Sequence, residues 1–169
     1  DYGNMLRTFL REFPDAVTAY STVDGAHYGV PFDSGTAITA LRTDVLTEAG
    51  YTVADFTDIS WDQYIEQGKD VLAKTGKPLL SGQAGSADII MMILQSAGAS
   101  LFDAEGNPTI ADNDALIDAI AVYAQLVESG VLVEVNSWDE YIGTLVNSSV
   151  AGTVNGIWIV GSIQSDKST

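Results

Sequence analysis

Catalysis needs nucleophiles, bases or metal ligands at workable spacing, and this sequence of 169 residues supplies few of them. Its single histidine, His27, has no sequence neighbour that completes a triad or a metal pair. Beside Tyr28, at the start of an extended stretch, it reads as structural. The absence of cysteine removes thiolate nucleophiles, zinc–thiolate sites and disulfides. There is no Gly-x-Ser-x-Gly elbow and no glycine-rich phosphate loop ending in Lys-Ser/Thr. Asp103-Ala104-Glu105-Gly106-Asn107 has the composition of a calcium loop. Its glycine falls at the fourth position rather than the sixth, and no Glu stands at the twelfth, so it reads as a turn. Among 23 carboxylates some pair must lie close together, which leaves a glycosidase-like acid and base open, but nothing selects one. The expectation is a chain with no catalytic residue, no metal site and no cofactor: not an enzyme.

Binding chemistry is better represented. Three stretches carry short polar groups beside glycine: Phe32-Asp33-Ser34-Gly35-Thr36, Gln83 within Gly82 to Ser86, and Asn155-Gly156-Ile157-Trp158. Such groups suit dense hydrogen bonding to an uncharged, hydroxyl-rich ligand. Asn155-Gly156 reads as a tight corner after a buried strand ending at Thr153-Val154. A helix starting just beyond would set Trp158 in its first turn, beside unpaired N–H groups at the carboxyl end of a strand, where open α/β sheets hold ligands. An indole there offers a flat apolar face to the C–H side of a sugar ring. The competing reading makes Trp158 a core plug.

The elements that must position these groups follow from periodicity and punctuation. Met5, Leu6, Phe9, Leu10 and Phe13 form a helical stripe closed by Pro14. Val23 to Ala26 is a turn feeding an extended segment, His27 to Phe32. A strand over Ile38–Leu41 and a short helix over Val45–Ala49 come next. Ser60-Trp61-Asp62-Gln63 and Ser137-Trp138-Asp139-Glu140 are capping boxes that each open a helix. Between them lie a short strand at Pro78–Leu80, a loop at Gly82–Gly85 and an apolar helix capped by Ser86, expected to be buried on most sides. A small hairpin around residues 100–110 and a long helix from Asp112 to Gly130 complete the list. Helices and short strands alternate, which predicts an α/β layered fold.

Bulk properties narrow the partners. Apolar residues make up 46% and charged ones 18%, a globular composition. Seven Lys and Arg stand against 23 Asp and Glu, giving a net charge of −16, and none of the seven lies between Lys77 and Lys167. Nucleic acid is therefore excluded as an expected partner, and anionic membrane surfaces are disfavoured. No stretch is long enough to span a bilayer, and the start at Asp1, without a Met, is expected of a fragment.

Five motifs, in order, carry a family resemblance. Asp24-Gly25-Ala26-His27-Tyr28-Gly29-Val30-Pro31-Phe32-Asp33-Ser34-Gly35 is followed by Thr43-Asp44-Val45-Leu46-Thr47-Glu48-Ala49-Gly50 and Ser60-Trp61-Asp62-Gln63-Tyr64. Then come Ala97-Gly98-Ala99-Ser100-Leu101-Phe102-Asp103-Ala104-Glu105-Gly106-Asn107-Pro108-Thr109-Ile110 and Val150-Ala151-Gly152-Thr153-Val154-Asn155-Gly156-Ile157-Trp158. Together they resemble the extracellular solute-binding proteins of ABC importers, in the carbohydrate-binding, maltose-binding-protein-like family.

The resemblance implies one lobe of a two-lobed periplasmic-binding-protein-like (type II) fold. Residues 1–27 would be the edge of the first lobe, 28–36 the inter-lobe crossover and 37–169 the second lobe. It further implies reversible binding of a sugar or small oligosaccharide between lobes, and delivery to an ABC permease in the membrane. A small polar solute other than sugar is the alternative. The missing first lobe would be a partner. The location would be extracellular, lipid-anchored at the cell surface, or periplasmic, with the signal sequence outside this chain. By the resemblance Trp158 stacks on the ligand and Asp33 contacts it from the hinge side. Ser34, Gln83, Ser86, Asp88 and Asn155 complete the expected binding set. Where the family often has an aromatic in the loop before the apolar helix, this chain has Ser86, Ala87 and Asp88, which points to a smaller or more polar ligand. Arg42, in place of the family's Asn, has no role assigned by the sequence.

Overall fold

The computed structural model describes residues 2–167, and the chain divides into two compact units, Asp1–Thr36 and Ala37–Thr169. In the first, helix α1 (Tyr2–Leu10) stops four residues before Pro14. Leu10 is buried, Met5 and Phe9 are exposed, and the Leu6 side chain lies outside the described residues. A one-turn helix α2 (Asp15–Thr18) leads into a two-stranded hairpin, β1 (Thr22–Val23) and β2 (Ala26–His27). His27 Nδ1 lies 2.9 Å from the Thr22 hydroxyl across that hairpin, a structural contact. Residues 28–36 have no regular structure and leave Phe32 99% exposed.

The second unit runs β3 (Ala37–Leu41), α3 (Thr43–Ala49), α4 (Trp61–Thr75), β4 (Leu80–Gln83) and α5 (Asp88–Ser96). It continues with α6 (Asp114–Glu128), β5 (Leu132–Val135), α7 (Trp138–Val146), β6 (Gly152–Gly156) and α8 (Ile159–Lys167). β3 pairs antiparallel with β6, Ala37 opposite Gly156 and Leu41 opposite Gly152. β4 pairs in parallel with β5, Gln83 opposite Val135, and β6 lies beside β4. The parallel pair is joined through α5 and α6, the helical crossover that parallel strands require.

Local sequence explains most of these elements. Ser60 accepts a hydrogen bond from the Gln63 N–H at 3.2 Å, and the Gln63 side chain accepts from the Ser60 N–H at 3.1 Å. Beyond that cap Tyr64, Ile65, Gly68 and Val71 turn one face of α4 inward. Gly68 is required by close approach: a β-carbon there would lie 2.6 Å from Val131 Cγ1 and 2.9 Å from Leu79 Cδ1. The main core gathers Leu46, Val71, Leu79, Leu80, Leu94, Leu126 and Val131, all fully buried. Each such side chain contributes about 1.5–3 kcal/mol of burial. A second, smaller core joins Tyr141, Ile142 and Leu145 of α7 to Val150 and to Ile159 of α8.

Several expectations are corrected. Asn155-Gly156 is not a corner. Both residues belong to β6 and pair with Ile38 and Ala37, because a five-residue antiparallel register outweighs the turn preference of the dipeptide. The turn falls at Ile157-Trp158, and the helix begins at Ile159. Gly82 lies in β4 opposite Glu134 rather than in a loop. α5 starts at Asp88, with Ser86 accepting from the Asp88 N–H at 3.2 Å from outside the helix. That helix buries Ile89, Ile93 and Leu94 and leaves Ile90, Met91 and Met92 half-buried, so only one side is sealed. α6 is capped by Asn113, not opened by Asp112. The second capping box is incomplete: Ser137 accepts from the Glu140 N–H, but Glu140 reaches past Ser137 to the Asn136 N–H at 2.6 Å. The hairpin near residue 105 reduces to one bridge, Phe102 to Pro108, its turn held by Asp103 accepting from the N–H groups of Glu105 and Asn107.

Candidate functional site

The carboxyl ends of β4 and β5, the start of α5, the start of α7 and the end of β6 meet at one place in the second unit. They line a shallow cleft of about 70 Å³, a wall rather than a closed chamber. Its lining includes Gln83, Ser86, Asp88, Tyr123, Trp138 and Asn155.

Trp138 is there because β5 ends at Val135 and Ser137 caps the next helix, which places the indole at its first position. Trp158 reaches the same place from the other side, in the turn between β6 and α8. The two indoles stack with centroids 5.7 Å apart and planes at 28°. Trp138 is 42% exposed and Trp158 is 53% exposed, which excludes the core-plug reading of Trp158. Trp158 folds back over Gly156 so closely that a β-carbon there would lie 2.3 Å from its Nε1. Any side chain at position 156 would have to displace the indole.

Tyr141 organises the polar floor. Its hydroxyl is hydrogen-bonded to that of buried Thr153 and accepts from Asn155 Nδ2 at 3.0 Å. Asn155 Oδ1 in turn accepts from the Gly156 N–H at 2.7 Å. Thr144 donates to the Tyr141 carbonyl, so Ser81 donates to Thr144 at 2.6 Å. Tyr123 donates to Glu134 at 2.7 Å. Burial, then that carboxylate, pushes its phenol up to about 12. These bonds are mutual and fix the floor in place. By contrast, the side chains of Gln83 and Asp88 make no hydrogen bond or ion pair among the described residues. Asp88 stands in the first turn of α5, where negative charge is favoured by the helix dipole.

The structure thus brings together Gln83, Ser86, Asp88 and Asn155, with Trp158 joined to them through Trp138 rather than lining the cleft itself. Asp33 and Ser34 belong to the first unit, where Asp33 Oδ1 accepts from the Ser34 N–H at 2.7 Å. Sequence reasoning missed Trp138, Tyr141 and Tyr123. For Trp138 a signal was present: like Trp158, it follows a strand end and opens a helix. Among the described residues no group of three His, Cys, Asp or Glu side chains is arranged to hold a metal ion.

Comparison with known proteins gives the family. The model of the bacterial extracellular solute-binding protein family matches residues 4–169. The chain belongs to that family. It is 33% identical to the lactose-binding protein of Rhizobium radiobacter, over 98% of this chain and 42% of that protein. It is 25% identical to an arabinooligosaccharide-binding protein of Halalkalibacterium halodurans, over 82% of this chain and 32% of that one. The solved structure of the galacto-N-biose-/lacto-N-biose I-binding protein of a Bifidobacterium longum ABC transporter has the same fold. It superposes with a TM-score of 0.76 at 20% identity, covering 99% of this chain and 41% of that one. The chain therefore spans less than half the length of the solute-binding relatives it matches. The family is one of solute-binding proteins, not of enzymes, and the two sequence relatives are named for sugars that they bind. No helix among the described residues is long and apolar enough to cross a membrane.

Proposed function

We propose that this chain is part of the substrate-binding component of an ABC importer, that it binds a sugar or small oligosaccharide reversibly, and that it delivers the ligand to a membrane permease. In this reading residues 37–169 are the second lobe, 28–36 the crossover and 1–27 the edge of the first lobe. The ligand is held between lobes, with Trp158, Gln83, Ser86, Asp88 and Asn155 on one side and Asp33 and Ser34 near the hinge. The protein would work outside the cytoplasm, at the cell surface or in the periplasm.

The observation that carries the reading is the stacked Trp138–Trp158 pair standing beside unpaired Gln83 and Asp88. Aromatic faces match the C–H side of a sugar ring, and free amide and carboxylate groups match its hydroxyls. The lactose- and arabinooligosaccharide-binding relatives support the ligand class. Titration calorimetry of the intact protein against panels of neutral sugars and amino acids tests it. Saturable heats with a mono- or disaccharide are expected, and binding confined to the amino acids would overturn the sugar assignment.

A further inference from the structure

The proposed sugar wall is cation-free as well as polar. Between Lys77 and Lys167 the sequence has no Lys or Arg, and that interval contains β4, α5, α6, β5, α7 and β6, the elements that build the wall. The four described cations of the second unit all precede it, and each is engaged. Arg42 forks onto Asp44, Lys69 pairs with Glu66 at 2.6 Å, Lys74 pairs with Asp70 at 2.6 Å, and Lys77 donates to the Ser148 carbonyl at 2.9 Å. The acids are distributed differently. Asp88 lines the wall with a carboxylate that no described group engages, and Glu134 is hydrogen-bonded by Tyr123, another lining residue.

Resting on the sugar-binding reading above, we infer that this wall is a charge filter. It accepts uncharged sugars through Asp88, whose two oxygens take hydrogen bonds from adjacent ligand hydroxyls, and it rejects anionic ones such as uronates and sugar phosphates. A carboxylate has no proton to donate, so Asp88 engages a hydroxyl and can only repel a second carboxylate or phosphate placed in the same position. Gln83, neutral and able to donate and accept, is indifferent to ligand charge. No basic side chain of the wall compensates. The discrimination therefore comes chiefly from one residue, at the first position of α5.

The test uses the intact protein and pairs each neutral sugar that binds with its uronate, in which one CH2OH is replaced by a carboxylate. Calorimetry on the wild type is expected to show the neutral sugar bound at least about tenfold more tightly than the uronate, the ratio shrinking as salt is raised. Asp88→Asn keeps the size and removes the charge. It is expected to weaken the neutral sugar about tenfold, because a charge-assisted hydrogen bond becomes an ordinary one, and to bring the two ligands close to parity. Gln83→Ala is the control, weakening both ligands alike. Equal or tighter uronate binding by the wild type overturns the filter while leaving the sugar reading intact. So does a neutral-to-uronate ratio that Asp88→Asn leaves unchanged. If neither member of any pair binds, the sugar reading fails first and the filter falls with it.

Discussion

Residues 60–65 read Ser-Trp-Asp-Gln-Tyr-Ile and residues 137–142 read Ser-Trp-Asp-Glu-Tyr-Ile. Both open a helix through a serine cap, α4 and α7, and both place a tyrosine inward one turn later. Their fates differ. Trp61 donates to the Ser96 hydroxyl at 3.2 Å and packs edge-to-face on Tyr64, itself edge-to-face with Phe56. Tyr64 is only 5% exposed, and its hydroxyl has no partner among the described residues. Trp138 instead lies half-exposed on Trp158, and the Tyr141 hydroxyl holds Thr153 and Asn155. One hexapeptide thus serves once as core and once as site. Its neighbours in space decide which: a helix face around Trp61, a strand end and a second indole around Trp138.

The sharpest way to break this comparison is to delete each indole. Trp61→Ala is expected to cost about 3 kcal/mol of stability by urea unfolding, with affinity kept under conditions where the variant is folded. Trp138→Ala is expected to lose about tenfold in sugar affinity by calorimetry while its unfolding midpoint moves little. Equal stability losses for both would put Trp138 back among the core residues. The tyrosines give the next largest effect. Tyr141→Phe takes away the hydroxyl that bonds Thr153 Oγ1 and Asn155 Nδ2 and should cost about 1–2 kcal/mol, whereas Tyr64→Phe removes a buried hydroxyl that bonds to no described group and should be neutral or stabilising. The caps should not distinguish the two copies: Ser60→Ala and Ser137→Ala are each expected to cost about 1 kcal/mol in the same unfolding assay.

The smallest effect is a titration. The Tyr123 phenol is raised to about 12 in the folded chain, first by burial and then by Glu134. Because its folded value lies above the unfolded one, near 10, its contribution is complete below about pH 10. That contribution is lost as pH climbs from about 10 towards 12, since the unfolded state then releases the proton first. Burial also raises the Tyr64 phenol, and the Asp70 hydrogen bond raises that of Tyr51, so ultraviolet titration should show several late-ionising tyrosines, their number reduced by one in Tyr123→Phe. If the late fraction is unchanged, the Tyr123 phenol is not held above its ordinary range.

Legibility in the sequence divided along the same line. Helix starts were readable because a serine three residues before Gln or Glu satisfies N–H groups locally, whatever lies beyond. The α/β class was readable from alternating patterns. The Asn155-Gly156 corner was misread because the dipeptide's local preference is weak beside five paired residues of β3, information located more than a hundred residues earlier. Trp138 went unnoticed for a related reason: its hexapeptide differs from that of Trp61 only in Glu140 against Gln63, and what distinguishes it is Trp158, brought alongside only when β6 pairs. Gln83, Ser86 and Asn155 could be picked out as polar groups beside glycines, and Asp88 only through the family resemblance, but bringing Asn155 to the other three required β6 to lie beside β4.

Gly156 has a consequence for how this surface can change over generations. The tilt of the outer ring is set by a hydrogen atom at position 156, where any side chain would push the indole outward, so the smallest residue in the chain governs the pose of the largest. A lineage seeking a differently shaped ligand could re-aim its aromatic platform by one substitution in the strand, with both tryptophans and every polar residue of the wall unchanged in sequence.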